Sequence, residues 1–203
     1  MSGSVTTESL RQEIEAFEGE LSWANGCWFV FRKLFMSDRA DVAQRNVSAR
    51  HFFGLFEKLL MHEIISSLCR LTDPPTTGRH TNLTFERLLG MYTHWEGKDA
   101  RAAQHVSEDE LKEAVSAIRS DMGAAREMRN EKLSHQDLSK ARDNAQWQIP
   151  LPHIAAVFEA LNTYTTYMRV PLFDGVQLEY MDDTCRKAPG EILSLLRDRP
   201  QAA

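Results

Sequence analysis

The chain has 203 residues, 42% hydrophobic and 26% charged, with a net charge of −5. That length suits one domain able to bury roughly 70% of its extended surface, and the balance is globular rather than fibrous or disordered. The acidic charge excludes a protein that grips nucleic acid broadly through a basic field, while leaving room for a small local RNA site.

Cys27, Cys69 and Cys185 are odd in number and far apart, with no second Cys or His at ligand spacing. This argues against a disulfide framework and a zinc site; buried thiols in a reducing, cytoplasmic compartment are expected, with no metal and no cofactor. The first twenty residues are polar and acidic, unlike a signal peptide. The greasiest stretch, FFGLFEKLLMHEIISSLC, is interrupted by Glu57, Lys58, His62 and Glu63, so no membrane span is expected.

In chain order, Leu10, Ile14, Phe17, Leu21, Ala24, Trp28, Phe31 and Phe35 recur in steps of three and four and predict one long amphipathic helix ending near Ser37-Asp38. Trp23, Trp28, Phe29, Phe31 and Phe35 cover more than one of its faces, which calls for partners on several sides: a second copy of the chain, or the C-terminal arm. A second helix carries Phe53, Phe56, Leu60, Ile64, Leu68 and Leu71 and stops before Asp73-Pro74-Pro75. The segment DPPTTGRHTN is the clearest loop. A short third helix sets Phe85, Leu88, Leu89, Tyr92 and Trp95 on one side.

Helix four opens with a capping box, Ser107 with Glu110 three residues on, and carries the stripe Leu111, Val115, Ile118, Met122, Ala125. The stretch 135–148 reads as a connector. Helix five starts near Pro150-Pro152 and carries Ile154, Val157, Phe158, Leu161, Tyr164 and Met168. Beyond Pro171, Val176, Leu178 and Tyr180 alternate as in an extended arm, and Gly190 to Arg197 suits a last short helix. The expected architecture is all-α: a bundle of about five main helices over residues 1–170, with residues 171–203 as a short irregular C-terminal arm packed on it.

Projected at about 100° per residue, Arg129 falls at the centre of the helix-four stripe, where the pattern asks for leucine. A guanidinium there needs a carboxylate, a water-filled cleft or a ligand anion, and Arg is suited to bidentate phosphate recognition. His135 follows in Arg129-Asn130-Glu131-Lys132-Leu133-Ser134-His135, with Asp137 close enough to orient an imidazole. Six residues turn a helix by about 240°, so Arg129 and His135 converge only if the helix ends near Ser134 or two subunits pool their residues. The spacing is not specific, because Arg45 to His51 and Arg87 to His94 repeat it. Position separates them: Arg87 and His94 project away from the apolar side of helix three, and His51 points away from the Phe53 stripe. His62-Glu63 lacks the second His of a metalloprotease, and Glu8, Glu13, Glu15 and Glu20 lack the Glu-x-x-His partners of a di-iron bundle and read as solvated charges.

RNEKLSH followed by Asp137, late in an all-α chain, resembles the HEPN superfamily, whose mark is an Arg, a polar residue such as Asn, and a His four to six residues after the Arg. The earlier SSLCRLTDPP, a loop and LTFERLL resemble its abortive-infection U-type branch, over roughly residues 8 to 170. The resemblance implies a homodimer whose motifs face a shared cleft. Many such proteins are metal-independent endoribonucleases acting as toxins or antiviral effectors, and others are non-catalytic modules that bind nucleotide, RNA or protein. It implies Arg129, Asn130 and His135 as catalytic residues and an antitoxin or nucleotidyltransferase as a possible companion. Arg126, Lys132 and Asp137 are the candidate substrate-binding residues around them.

Overall fold

The computed structural model describes residues 5–36, 39–97, 107–130, 150–173 and 183–197. Among them are seven helices: α1 (Thr7–Phe35), α2 (Arg39–Thr72), α3 (Phe85–Thr93), α4 (Glu108–Asp121), α5 (Gly123–Met128), α6 (Leu151–Arg169) and α7 (Asp183–Arg197). Their only sheet is the two-residue antiparallel pair β1 (Thr76–Thr77) and β2 (His80–Thr81). The fold is all-α, as the periodicity predicts. The chain divides into two compact units, Met1–Leu21 with Ser66–Leu178, and Ser22–Ile65 with Glu179–Ala203.

In the first unit the predicted stripes form the core. Leu10, Ile14, Phe17 and Leu21 of α1 are fully buried, as are Leu68 of α2 and Leu88 of α3. Fully burying one such side chain is worth about 1.5–3 kcal/mol. In α3 the Thr84 hydroxyl caps the start by accepting from the Arg87 N–H. Just past its end, Trp95 is buried, and its indole Nε1 donates to Thr7 Oγ1 at 3.0 Å. The predicted capping box is present: Glu110 Oε2 accepts from the Ser107 N–H at 2.7 Å while Ser107 Oγ accepts from the Glu110 N–H at 3.2 Å. Helix α4 packs on α3 and α6, and α6 buries Ile154, Val157, Phe158, Leu161 and Met168.

Charges in this unit are less solvated than the sequence suggests. Arg87, expected to face water, forks onto Glu13 through Nε at 3.2 Å and Nη2 at 2.7 Å, and that pairing raises its pKa. Glu20 pairs with Arg70. Glu18 and Arg169 form a buried ion pair at 2.5 Å, their side chains 3% and 8% exposed. The Arg169 guanidinium also lies 4.0 Å over the Phe173 ring. Period alone gave no sign of this pair, since neither residue falls on a stripe.

In the second unit, Ala24, Cys27, Trp28, Phe31 and Leu34 are buried, with Phe53, Leu60, Met61, Ile64 and Ile65 of α2. Rings run from Trp28 through Phe31 and Phe35 to Phe56, with centroids 5.4 to 6.5 Å apart. Helix α2 is kinked at Ala49, whose φ −160°, ψ 51° is not helical. The last helix starts at Asp183, earlier than predicted, and carries Pro189 inside it. Cys185 packs onto the α1 backbone, where a Cβ at Gly26 would lie 2.6 Å from its Sγ. Burial, aided by Glu63 and Cys185, pushes the Cys27 thiol up to about 12. Trp23, Met36, Phe52, Leu55 and Leu59 keep about half or more of their surface exposed. The alternating residues 176–180 lie outside the described residues.

Two predictions follow from the packing. Glu18→Ala or Arg169→Ala alone leaves an unpaired buried charge and should cost about 3–5 kcal/mol in urea unfolding, whereas replacing both by Leu and Met should cost well under the sum. The Ser107 N–H and hydroxyl hold the Glu110 carboxylate below its ordinary value of 4.5. Its contribution is therefore present above that value and lost as pH falls through the lower folded one. Glu110→Gln should remove that part of the acid sensitivity of α4, read by circular dichroism between pH 6 and 2.

Candidate functional site

The site is built from the end of α2. Thr72 is buried and donates its hydroxyl to the Leu68 carbonyl at 2.7 Å. Pro74 and Pro75 stop the helix, because each lacks an N–H and Pro74 keeps Asp73 out of helical backbone. The following segment, read from sequence as a plain loop, is a small hairpin. Gly78 takes φ +60° at its two-residue turn. Asn82 ties it down: its side-chain nitrogen donates to the Pro74 carbonyl at 2.9 Å and to Thr77 Oγ1 at 2.8 Å, and its N–H to the Pro75 carbonyl at 2.8 Å. Asp73 is thus held between a helix end and a tethered turn.

The single helix four of the sequence reading is two helices, with a break at Met122 (φ −84°, ψ −2°). The buried stripe survives the break, since Ile118, Met122, Ala125 and Met128 are all nearly inaccessible. At Arg129-Asn130 the backbone widens into a π-helical turn. The Arg129 side chain is 24% exposed, and its Nη1 donates to Asp73 Oδ2 at 2.5 Å. Its Nε donates to Asn130 Oδ1 at 3.2 Å.

Arg126, one turn earlier, closes on the same point. Its Nη2 donates to the Thr72 carbonyl at 2.5 Å and hydroxyl at 2.9 Å, and its Nη1 to the Arg119 carbonyl at 3.2 Å. Its Nε lies 3.5 Å from Asp73 Oδ1, buried and without a hydrogen-bond acceptor. One carboxylate therefore faces two guanidiniums, a local excess of positive charge in an acidic chain. Burial works against the Arg129 cation, and the Asp73 hydrogen bond and charge more than offset it, so its pKa is raised. Cys69, one turn before Asp73, is fully buried, and burial pushes its thiol up to about 11 despite Arg129 and Arg126 nearby.

Of the residues singled out from sequence, the structure brings Arg126, Arg129 and Asn130 together. Lys132, His135 and Asp137 lie outside the described residues. Of the three ways to neutralise Arg129, the fold supplies a carboxylate. Periodicity did not find Asp73, which reads as a helix stop; its only signal was its place in SSLCRLTDPP. Among the described residues no group of three or more His, Cys, Asp or Glu is placed to hold a metal ion. His62 is exposed, and Glu63 accepts from the Trp23 indole at 2.9 Å.

Because Asp73 and Arg129 are each about a quarter exposed, losing one partner should cost less than in a fully buried pair. Asp73→Ala is expected to destabilise by about 2 kcal/mol in urea unfolding. A double-mutant cycle with Arg129→Met should give a coupling of about 1 kcal/mol or more. A coupling near zero would mean that the contact contributes nothing in solution.

A family model described as AbiU2, of the HEPN type, matches residues 7–170. No curated protein and no solved structure matches the chain. The matched stretch contains both SSLCRLTDPP, which ends α2 and supplies Asp73, and RNEKLSH, which supplies Arg129. The chain belongs to the AbiU2 branch of the HEPN superfamily.

Proposed function

We propose that this protein is a metal-independent endoribonuclease of the HEPN type, acting as a homodimer in a toxin or antiviral defence role. The observation that carries the reading is a partly exposed guanidinium at the end of the α4–α5 stripe, held by Asp73 and six residues before His135 in the sequence. In this reading Arg129 holds the scissile phosphate and stabilises the charge that develops on it. Asn130, which already accepts from Arg129 Nε, orients that guanidinium or the phosphate. His135 takes the proton of the ribose 2′-hydroxyl or returns one to the leaving oxygen, a role typically worth 10²–10⁴-fold. The attacking oxygen belongs to the RNA, so the step balances without a metal. Lys132 and Asp137 complete the site, the first on phosphate and the second on the imidazole.

Dimerisation is supported by the second unit. Phe52, Leu55 and Leu59 recur at helical spacing on α2 and are 54–59% exposed. An antitoxin or a nucleotidyltransferase is the class of companion that a toxin role calls for. No described helix is long and apolar enough to cross a membrane.

A second reading, a non-catalytic module that binds nucleotide, RNA or a protein partner, is favoured by one contact. The Asp73 carboxylate already occupies Arg129 at 2.5 Å, so a phosphate must share or displace it. Catalysis separates the two. The purified chain should cut RNA in excess EDTA, His135→Ala should abolish the cutting with the dimer intact by light scattering, and Arg129→Ala should slow it by about 10²-fold or more. Cleavage that stops in EDTA, or survives in His135→Ala, would overturn the endoribonuclease reading.

A further inference from the structure

A cleft of the first unit lies away from Arg129, between α3 and α4, with a volume of about 810 Å³. That is the size of a small-ligand site. From α4 it takes Lys112, Val115, Ser116 and Arg119, which at spacings of three and four form one helix face. Glu110, Glu113 and Asp121 of the same helix do not line it. From α3 it takes Glu86, Arg87, Leu89 and Gly90, with His94 just past the helix end, and Val5 and Pro75 close its apolar wall. Three cations, Arg87, Lys112 and Arg119, thus line it against one carboxylate, Glu86, in a chain whose net charge is −5. Glu86 pairs with Arg119, and Arg87 is engaged by Glu13 from α1. At Gly90 the cleft reaches the helix itself: a Cβ added there meets nothing within 4 Å.

This cleft is tied to the Asp73 site by two connections. Arg126 donates to the Arg119 carbonyl with one guanidinium nitrogen and to Thr72 with another. Pro75, two residues after Asp73, is part of the cleft wall. Arg119 and Arg129 are ten residues apart along α4 and α5, about 15 Å by helical rise, a few nucleotide steps along a single strand.

We propose that the α3–α4 cleft is a nucleotide subsite, taking a phosphate between Lys112 and Arg119 and a base against Val5, Pro75 and Val115. It rests on the RNA reading for its natural ligand, a nucleotide flanking the one held at Arg129. The chemistry, an anion on cations beside an apolar wall, is the same for a free nucleotide. The subsite sets Lys112 and the Glu86-paired Arg119 beside an apolar wall, a local foothold for a single strand on an acidic chain.

The test uses the full chain, a fluorescent single-stranded oligoribonucleotide and adenosine monophosphate, with anisotropy and calorimetry in EDTA at several salt concentrations. Gly90→Glu fills the cleft with a carboxylate from an open position, and Lys112→Glu reverses one rim charge; melting curves check that both fold. Both should weaken oligonucleotide binding by about tenfold or more. Lys112→Glu should also flatten the salt dependence by roughly 0.7 in slope, one phosphate contact. In cleavage both should raise KM, whereas Arg129→Ala lowers kcat. If wild type binds the oligonucleotide without cutting it and both variants bind worse, the nuclease reading falls and the subsite stands. Tight binding of the monophosphate alone, lost in both variants, supports the subsite with a free nucleotide as its ligand. Folded variants that bind and cut like wild type overturn it, as does wild type that binds neither probe.

Discussion

One carboxylate organises the business end of the first unit. Asp73 receives Arg129 at 2.5 Å and lies 3.5 Å from Arg126, so the end of α2 and the end of α5 are fastened through it. Two guanidiniums this close repel each other, and in a partly buried setting neither is tolerated without a counter-charge. Asp73 lowers that cost and still leaves the cluster positive.

What fixes Asp73 is local backbone chemistry rather than apolar packing. The two prolines end α2, and the hairpin turns back with Gly78 in left-handed backbone. Asn82 then spends its side chain and its N–H on Pro74, Thr77 and Pro75. Thr72 satisfies the carbonyl of Leu68 while its own carbonyl is taken by Arg126. One orphan acceptor at the end of α2, the Thr72 carbonyl, is thereby capped by Arg126 of the site. Elsewhere in the unit, cations and carboxylates from distant parts of the sequence pair in the same manner: Arg87 with Glu13, Arg169 with Glu18 and Arg70 with Glu20.

The second unit solves a different problem. Its aromatic α1 segment is covered mostly from within, by the Trp28 to Phe56 ring series, and by α7 where Cys185 meets Gly26. Exposed apolar surface remains at Trp23, Phe52, Leu55 and Leu59. An array of this kind in water is held at low cost only if something apolar lies over it.

The sequence by itself determined the helices and their buried faces. Burial follows a 3.6-residue period that neighbouring residues reveal, so Leu10 to Phe31, Phe85 to Trp95, Leu111 to Ala125 and Ile154 to Met168 were legible, as were the Ser107 capping box and the proline stop at Asp73. It also marked Arg129 as a cation on an apolar stripe, because that breach is visible within one helix. Only the tertiary structure decided what answers the breach. Asp73 is 56 residues from Arg129 and Glu18 is 151 from Arg169, and no local pattern encodes which carboxylate a chain fold will bring to which guanidinium. The same reason hid the α3–α4 cleft: its cations lie on the polar sides of two helices, where periodicity records only that they avoid the core.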